Sequence, residues 1–337
     1  MKVALLGANG QLGQDLQRAL EAHDVTPLTR TDVDVTNSAR TRTVLMGLHP
    51  DVVFNTTAYH RVDDCETNPE TAYAVNTLSV LNLVRIANEL DAVVVHLSTD
   101  YVFDGKAREP YTEKSEPFPL SVYAHSKLAG ESLVRTMARK FFLIRSSGLY
   151  GRAGSRGKGG NFVDMMLAKA RRGEPIRVVN DQVTTPTYTM DLANQIARVL
   201  PTKHYGLFHM TNEGSCSWYE FARMIFDMTG IKADLEPTTS ELYKAPAIRP
   251  RYSVLENARL KELGLHEMRH WRDALAPCNN NSTAAGSTMP AIYPKTRCME
   301  AMPHIMQLVD AAANSRFVLG GLHSLFVSAR RRGQSVE

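Results

Sequence analysis

The residues best suited to chemistry are a tyrosine and a lysine four positions apart. Tyr123 and Lys127 stand in the segment Tyr-Ala-His-Ser-Lys. At this spacing both side chains lie on one face of a helix, one turn apart. A lysine ammonium near a phenol favours the phenolate and so lowers the pKa of the phenol. We therefore expect Tyr123 to exchange a proton with a carbonyl oxygen near neutral pH.

A glycine-rich turn near the start of the chain predicts a binding site for the cofactor that would exchange hydride with the substrate. It follows an apolar run at 2–6 and opens a helical pattern, with the spacing GxxGxxG rather than GxGxxG. Backbone without Cβ atoms can approach a pyrophosphate, which then lies at the helix N-terminus. The turn therefore predicts a nicotinamide dinucleotide that delivers hydride. The residues expected to contact it here are Gly7, Asn9, Gly10, Gln11, Leu12 and Gly13.

Alternating strands and helices must position these residues. Helical spacing predicts long helices at 11–22, 69–90 and 121–139. Apolar runs predict strands at 2–6, 25–29, 51–55, 92–98 and 141–145. This alternation is typical of an α/β fold with a Rossmann-type, doubly wound parallel sheet. Pro27 fits poorly inside a central strand of such a sheet.

The chain divides into three segments. Residues 1–150 are expected to form an NAD(P)-binding Rossmann domain. Residues 151–276 indicate a smaller C-terminal substrate-binding lobe, interleaved with the first domain in space, that includes a strand at 207–210 and closes over the carboxyl edge of the sheet. From residue 277 an Asn-, Ser- and Ala-rich stretch and a final run of arginines indicate a linker and tail of unknown role, for which disorder is one interpretation.

Composition limits the classes of function. The chain has 337 residues, 43% of them hydrophobic and 22% charged, as in ordinary globular proteins. A net charge of +4 without a basic stripe gives no reason to expect nucleic-acid binding. No apolar stretch approaches the ~20 residues of a membrane span, so no membrane partner is expected. Four scattered cysteines and the absence of a signal-peptide pattern predict reduced thiols and a cytoplasmic protein.

The residue after the second strand bears on the choice of cofactor. A carboxylate at this point would hold a ribose 2′-hydroxyl, whereas an arginine accommodates a 2′-phosphate. Arg30 stands here and favours NADPH. Asp32 and Asp34 follow closely and leave NADH open.

Several segments resemble the extended short-chain dehydrogenase/reductase superfamily and, within it, the dTDP-4-dehydrorhamnose reductase family. The resemblance covers roughly residues 1–276, and the stretch Ser-Thr-Asp-Tyr-Val-Phe-Asp-Gly at 98–105 is its most specific part. The other matching segments are the glycine turn, 55–59 (Asn-Thr-Thr-Ala-Tyr), 122–131 around the Tyr/Lys pair, 160–162, 179–188 and 249–253.

The resemblance implies reduction of the C4 keto group of dTDP-4-dehydro-L-rhamnose to dTDP-L-rhamnose by NADPH, in dTDP-rhamnose biosynthesis for cell-surface polysaccharide. It implies that Tyr123 protonates the developing oxyanion and that Lys127 holds the nicotinamide ribose. Thr99 would hydrogen-bond the same oxygen and stabilise its charge. Magnesium dependence and a homodimeric state are left open.

The resemblance also implies two sets of binding residues. An arginine suits a diphosphate because its guanidinium makes bidentate contacts. Besides the glycine turn and the Tyr/Lys pair, the cofactor contacts would be Arg30, Asp34, Val35, Thr57, Ala58 and Tyr59. The substrate contacts would be Thr99, Asp100, Tyr101, Asn161, Asn180, Gln182 and Arg249.

Other interpretations stay open. The superfamily's dehydratases carry an Asp-Glu pair after the threonine, but here Asp100 is followed by Tyr101, which favours simple reduction. Another nucleotide-sugar reductase or epimerase is an alternative, and so is a non-catalytic NADP-binding subunit similar to the methionine adenosyltransferase β subunit. Gly148 stands where the family usually has an aromatic residue, which leaves the sugar fit open. His266–His270 matches HExxH, but a preceding Leu-Gly-Leu breaks the helix that a zinc site needs, so no metal is predicted.

Overall fold

Twelve strands occur in the part of the chain that the structure, a computed structural model, describes: residues 1–154 and 159–279. They are β1 (Lys2–Leu6), β2 (Asp24–Leu28), β3 (Val52–Asn55), β4 (Val93–Thr99), β5 (Phe141–Ser146), β6 (Leu149–Tyr150), β7 (Ile176–Val179), β8 (Val183–Thr184), β9 (Thr187–Tyr188), β10 (Gly206–His209), β11 (Cys216–Ser217) and β12 (Leu235–Thr238). Six of them form one parallel sheet in the order β10-β5-β4-β3-β1-β2. The predicted Rossmann-type fold is confirmed.

The described residues also form twelve α-helices, some of which cover the two faces of this sheet. They are α1 (Gln11–Ala19), α2 (Ser38–Leu48), α3 (Val62–Thr67), α4 (Pro69–Tyr73), α5 (Ser79–Glu89), α6 (Val122–Met137), α7 (Phe162–Arg171), α8 (Thr189–Val199), α9 (Trp218–Thr229), α10 (Ser240–Tyr243), α11 (Ala258–Glu262) and α12 (Trp271–Asn279). Apolar residues of α1 and α8 pack on one face, and those of α2 and α5 pack on the other. Because both faces are covered, the central strands are almost continuously apolar.

The edge position of β2 explains its proline. Pro27 lies opposite Leu5 of β1, and β2 ends the sheet at that side. A proline lacks the N–H that a central strand needs for its second neighbour, but an edge strand has only one neighbour. The second strand therefore forms where the sequence predicts it.

The segment after residue 150 contributes to the central sheet as well as to a separate core. Strand β10 pairs with β5, so the strand predicted at 207–210 belongs to the central sheet rather than to the smaller lobe. A second apolar cluster lies around Tyr150, Ile176, Phe221 and Trp271. The division at residue 150 stays a prediction. The predicted linker and tail lie outside the described residues from position 280 onward.

The helix predicted at 69–90 contains a π-helical turn, Ala74–Leu78, between α4 and α5. This turn places Asn76 inward, where it is fully buried. Asn76 accepts from the Tyr59 N–H (2.9 Å) and donates to Ser126 Oγ (2.9 Å). The asparagine thereby ties the loop after β3 to α6, and π-turns of this kind often occur at functional sites.

Within residues 1–154 and 159–279, no helix is both long enough and apolar enough to cross a membrane.

Candidate active site

A cavity of about 1140 Å³ lies along the carboxyl ends of β1 to β5, where open α/β sheets bind ligands. All the predicted cofactor residues line it, as do all the predicted catalytic residues. Of the predicted substrate residues, only Asn180 does not. The roles of these residues stay predictions, but the structure brings the side chains together around one space.

The glycine turn fits the phosphates of a dinucleotide. Gly7 has φ +80°, and a Cβ there would lie 2.6 Å from Thr56 Oγ1, so only glycine fits without strain. Helix α1 begins after Gly10, which supplies no side-chain cap for its first N–H groups. Gln11 donates to the Leu149 carbonyl (3.1 Å), while its buried Oε1 has no hydrogen-bond partner among the described residues. Phosphates would satisfy the N–H groups, and ribose hydroxyls could satisfy that oxygen.

The end of β2 presents a cation rather than an uncommitted carboxylate. The Arg30 side chain is 87% exposed and lies 3.3 Å from Asp34. Asp32 Oδ2 instead accepts from the N–H (2.8 Å) and hydroxyl (2.7 Å) of Thr29, so this carboxylate stabilises the turn at 29–32. Hydrogen bonds from Thr36 hold the pKa of Asp34 below its usual value. This arrangement suits the 2′-phosphate of NADPH.

Three predicted catalytic residues meet at the junction of β4 and α6. The Ser121 hydroxyl caps α6 by accepting from the Ala124 N–H (3.3 Å), which directs Tyr123 and Lys127 along one face toward the cavity. Thr99, the last residue of β4, lies beside the Tyr123 phenol and lowers the pKa of that phenol. A proton donor and a second hydroxyl are therefore available to one substrate oxygen.

The electrostatics of this pair differ from the expectation. Burial raises the pKa of Tyr123, and the hydrogen bond from Thr99 lowers it by less. Lys127 Nζ donates instead to the Leu97 carbonyl (2.6 Å), and burial lowers the pKa of Lys127 to about 8. The expected lowering of the phenol's pKa is thus wrong for this structure, because desolvation of the phenolate dominates.

Asp100 organises the cavity floor rather than presenting open carboxylate oxygens. It is 3% exposed and accepts hydroxyl hydrogen bonds from Thr99 (3.1 Å), Ser147 (2.8 Å) and Thr184 (3.5 Å). Burial raises the pKa of Asp100 to about 6 despite these bonds and one from Ser253. Asp100 therefore joins the end of β4 to β8 and to the loop after β5.

Two of the predicted substrate residues, Asn161 and Asn180, use their side chains for hydrogen bonds to other protein residues. Asn161 caps α7 and donates from Nδ2 to the Gly151 carbonyl (2.7 Å). Asn180 Oδ1 accepts from Ser217 Oγ (2.7 Å), which accounts for its position off the cavity. The prediction that Asn180 contacts substrate is therefore not supported by its position.

Two further predicted substrate residues, Gln182 and Arg249, hold the segment 240–251 in place. Gln182 donates to Ser240 Oγ (2.9 Å). The Arg249 guanidinium makes a bidentate pair with Asp63 (3.0 and 2.8 Å) and also hydrogen-bonds Tyr101. Arg249 thus lines the cavity with a guanidinium that is already paired, so it is not an uncommitted phosphate ligand.

Helix α7 and strand β7 contribute lining residues that sequence reasoning missed. Lys169 and Arg177 add two cations to the cavity wall. Phe162 and Trp218 also line it, with ring centroids 4.8 Å apart. Met165 also lines it and is 48% exposed. The spacing 162, 165, 166 and 169 marks one helix face, but this spacing alone does not distinguish a core-facing side from a cavity wall.

Gly148 lines the cavity beside the end of β5, with φ +55°. A Cβ there would lie 3.1 Å from Pro186 Cα and 3.3 Å from the Thr185 carbonyl oxygen. Any other residue would be strained in this conformation. The aromatic residue that the family usually carries would therefore need a different local backbone.

The HExxH segment forms no helix between His266 and His270. His266 instead lies 2.8 Å from Glu213. No three His, Cys, Asp or Glu side chains in the described ranges are grouped as metal ligands.

A Rossmann-type sheet, a glycine turn after its first strand, and a tyrosine and lysine facing the same cavity define a nicotinamide-dependent oxidoreductase of the short-chain dehydrogenase/reductase type. Residues 1–283 match the family model described as the RmlD substrate binding domain, and the chain belongs to this family. The predicted resemblance is confirmed.

Individual relatives agree with this assignment. The chain is 37% identical over 278 residues to dTDP-4-dehydrorhamnose reductase of Streptomyces griseus, covering 80% of this chain and 90% of the relative. It is 36% identical over 273 residues to dTDP-4-keto-6-deoxy-D-glucose reductase of Streptomyces niveus, covering 80% and 93%. The crystal structure of dTDP-4-dehydrorhamnose reductase from Bacillus anthracis str. Ames in complex with NADP matches with TM-score 0.79 and 37% identity, covering 82% of this chain and 97% of that chain.

Proposed function

We propose that this protein is an NADPH-dependent reductase that converts the C4 keto group of dTDP-4-dehydro-L-rhamnose to the hydroxyl of dTDP-L-rhamnose, within dTDP-rhamnose biosynthesis. The observation that carries the proposal is that Thr99, Tyr123 and Lys127 line the same cavity as the glycine turn, in a chain of this family. One space can therefore hold a hydride donor and a keto sugar side by side.

The protein's own groups place the reactants and supply the proton. Bound NADPH supplies the hydride. The turn at Gly7 and the first turn of α1 receive the pyrophosphate, Arg30 receives the 2′-phosphate, and Lys127 holds the nicotinamide ribose. Thr99 and Tyr123 hydrogen-bond the C4 oxygen. As charge develops on that oxygen, Tyr123 donates its phenolic proton to it.

The raised pKa of Tyr123 suits this direction of reaction. Burial keeps the phenol protonated throughout the physiological range. The phenol therefore donates only when a strongly basic oxyanion forms beside it.

The nucleoside diphosphate of the substrate would lie against α7 and β7. Lys169 and Arg177 supply positive charge for its phosphates. Phe162 and Trp218 supply apolar ring faces for the base. The contacts predicted from Asn161, Gln182 and Arg249 then act by holding this wall in position.

A second candidate substrate is another dTDP-4-keto-6-deoxy sugar, and Gly148 favours it. This residue leaves no side chain beside the end of β5, so the sugar pocket has backbone there. The relative from Streptomyces niveus is named for a reductase of dTDP-4-keto-6-deoxy-D-glucose. Assay of both keto sugars decides between them.

The test is oxidation of NADPH, followed by its absorbance, with enzymatically generated dTDP-4-dehydro-L-rhamnose. Wild type should turn over, and Tyr123→Phe should lose about 10²- to 10⁴-fold in kcat because the proton donor is gone. Tyr111→Phe is the matched control, since the Tyr111 phenol is bonded to Asp104 (3.0 Å) and does not line the cavity. A folded wild type that binds NADPH but reduces neither keto sugar would overturn the proposal.

The cytoplasmic location and the homodimer belong to the same proposal. Cys65 and Cys216 are buried thiols, as expected of a reducing compartment. Light scattering of the purified protein tests the dimer, and cell fractionation tests the location.

A further inference from the structure

A chain of three buried side chains leads from the loop after β3 to the catalytic lysine. Asn55, the last residue of β3, is 1% exposed. Its Oδ1 accepts from the N–H (3.1 Å) and the hydroxyl (2.6 Å) of Thr57. A backbone N–H can only donate, so this oxygen is identified without ambiguity. The Asn55 Nδ2 must therefore be the donor toward its other neighbour.

That neighbour is His96 of β4, which is fully buried. Asn55 Nδ2 lies 3.1 Å from His96 Nδ1. Because Nδ2 donates, Nδ1 must carry the lone pair, and the proton of the neutral imidazole must be on Nε2. Burial, reinforced by the charge of Lys127, holds the pKa of His96 well below its usual range. The ring is therefore a neutral Nε2–H tautomer.

The His96 Nε2–H faces Lys127, at 3.4 Å from Nζ. A neutral amine has a lone pair that can accept this hydrogen, whereas an ammonium has only N–H bonds and would meet another donor. The remaining direction of Nζ is satisfied in either state, since it donates to the Leu97 carbonyl (2.6 Å). The arrangement thus favours the amine over the ammonium.

We propose that His96, fixed in its tautomer by Asn55, is a positioning residue that acts through Lys127 by opposing the charged state of the lysine. Glu131, on the same helix, acts in the other direction and raises the pKa of Lys127. Its charge is shared with Arg145 of β5 (2.7 Å) and with the Ser98 hydroxyl (2.5 Å). The His96 Nε2–H therefore opposes the charge of Lys127, while Glu131 favours it, so the charge of Lys127 responds to pH.

The proposal has a consequence for the pH profile of kcat/KM, at its alkaline limb, where activity falls as pH rises. If the ammonium of Lys127 holds the nicotinamide ribose, activity falls as pH rises past the pKa of Lys127, which burial lowers to about 8. His96 contributes to placing this limb near neutral pH. The kinetic part of this inference rests on the function proposed above, whereas the tautomer does not.

The first experiment determines the tautomer directly in the folded protein. Long-range ¹H–¹⁵N correlation NMR shows which ring nitrogen of each histidine carries the proton, and the His96 signals are assigned by their loss in His96→Leu. A neutral Nε2–H tautomer is expected. An Nδ1–H tautomer or a charged ring at neutral pH would overturn the inference, whatever the enzyme's substrate proves to be.

The second experiment reverses the donor-to-acceptor direction of the hydrogen bonds that run from Asn55 through His96 to Lys127. In Asn55→Asp, a carboxylate would accept from Nδ1–H, so Nε2 would accept from the lysine ammonium. The alkaline limb of kcat/KM should then move upward by about one pH unit. In a His96→Leu background the same change should move it less, since only the through-space charge of the aspartate remains.

Asn257→Asp is the matched control. Asn257 is equally buried, its Nδ2 lies 3.3 Å from His266 Nε2, and neither residue lines the cavity. The control should leave the alkaline limb in place. An equal shift in Asn55→Asp and in the control, or an undiminished shift in the His96→Leu background, would overturn the proposal. If Asn55→Asp does not fold, the wild-type tautomer decides alone.

Discussion

The two walls of the cavity are built on different principles. The sheet wall consists of the carboxyl ends of β1 to β5 with the first half of α6, and the lobe wall consists of α7, β7 and residues 240–251. On the sheet wall Thr99, Asp100 and Lys127 are 7%, 3% and 2% exposed. On the lobe wall Tyr243 and Ile248 are 62% and 66% exposed. The reacting groups are thus fixed before substrate arrives, while much of the recognition surface faces solvent.

This difference follows from what each wall must do. Transition-state stabilisation requires groups that do not reorganise during the reaction, and a hydrogen-bonded, buried network provides them. A nucleotide can be held by long cationic and apolar side chains that settle around it, at a cost in side-chain entropy. Substitutions of the buried reacting groups on the sheet wall should therefore alter kcat, and those on the lobe wall should alter KM for the nucleotide sugar.

The largest effect is expected from Lys127→Met. We expect kcat to fall by about 10²- to 10⁴-fold, since the side chain that holds the nicotinamide ribose is lost. Because burial already disfavours the charge of Lys127, the melting temperature should be unchanged or higher. Steady-state kinetics and thermal unfolding of the same preparation test both statements. A variant that loses activity only in proportion to lost folded protein would show that Lys127 is structural.

A smaller effect is expected at the end of β2. Arg30→Ala should raise KM for NADPH by about 10- to 100-fold, because a charge-assisted contact with the 2′-phosphate is lost. KM for NADH should stay unchanged or fall, since Asp34 then lacks its arginine partner. Arg42→Ala breaks a comparable exposed pair with Glu89 (2.6 Å) and serves as the control. Equal effects on both cofactors would contradict the assignment of Arg30.

The sheet wall is also the part that the sequence predicts well. The glycine turn and the Tyr/Lys pair are local patterns, so the strand and helix that carry them are enough to bring both patterns to the cavity. Pro27 is compatible with a strand at this position because β2 lies at the edge of the sheet, and the sequence does not show which strand is the edge. Local spacing therefore suffices where one turn of chain carries the function.

The lobe wall depends on contacts between distant parts of the chain. The pair of Asp63 and Arg249 joins residues 186 positions apart, and no local pattern announces it. Asn180 follows a strand in a segment that matches the family, yet its side-chain oxygen accepts a hydrogen bond from the Ser217 hydroxyl. The raised pKa of Tyr123 was missed for the same reason, since burial is a property of the whole fold.

A test of the lobe wall is removal of its cations. Lys169→Ala should raise KM for the nucleotide sugar by roughly 3- to 10-fold with little change in kcat, as expected for a partly exposed charge facing a diphosphate. Arg177→Ala should raise it by less, because the Arg177 side chain is 73% exposed and lies 3.4 Å from Glu236. The effect should diminish as ionic strength rises. Arg172→Ala is the control, since Arg172 pairs with Glu174 (2.5 Å) and does not line the cavity. A fall in kcat with unchanged KM would contradict the division between the walls.

The smallest expected effect concerns Asp100, which joins the end of β4 to β8 and to the loop after β5. Its folded-state pKa of about 6 exceeds the usual 3.8 because burial disfavours the carboxylate. Between these values the folded protein binds more protons than the unfolded chain, so the stability that this group contributes is lost as pH rises through about 6. From pH 7 to pH 5, wild type should gain about 1 kcal/mol relative to Asp100→Asn, measured by urea unfolding. Parallel stability profiles for the two proteins would mean that Asp100 keeps an ordinary pKa and that its hydrogen bonds from Thr99, Ser147 and Thr184 fully offset its burial.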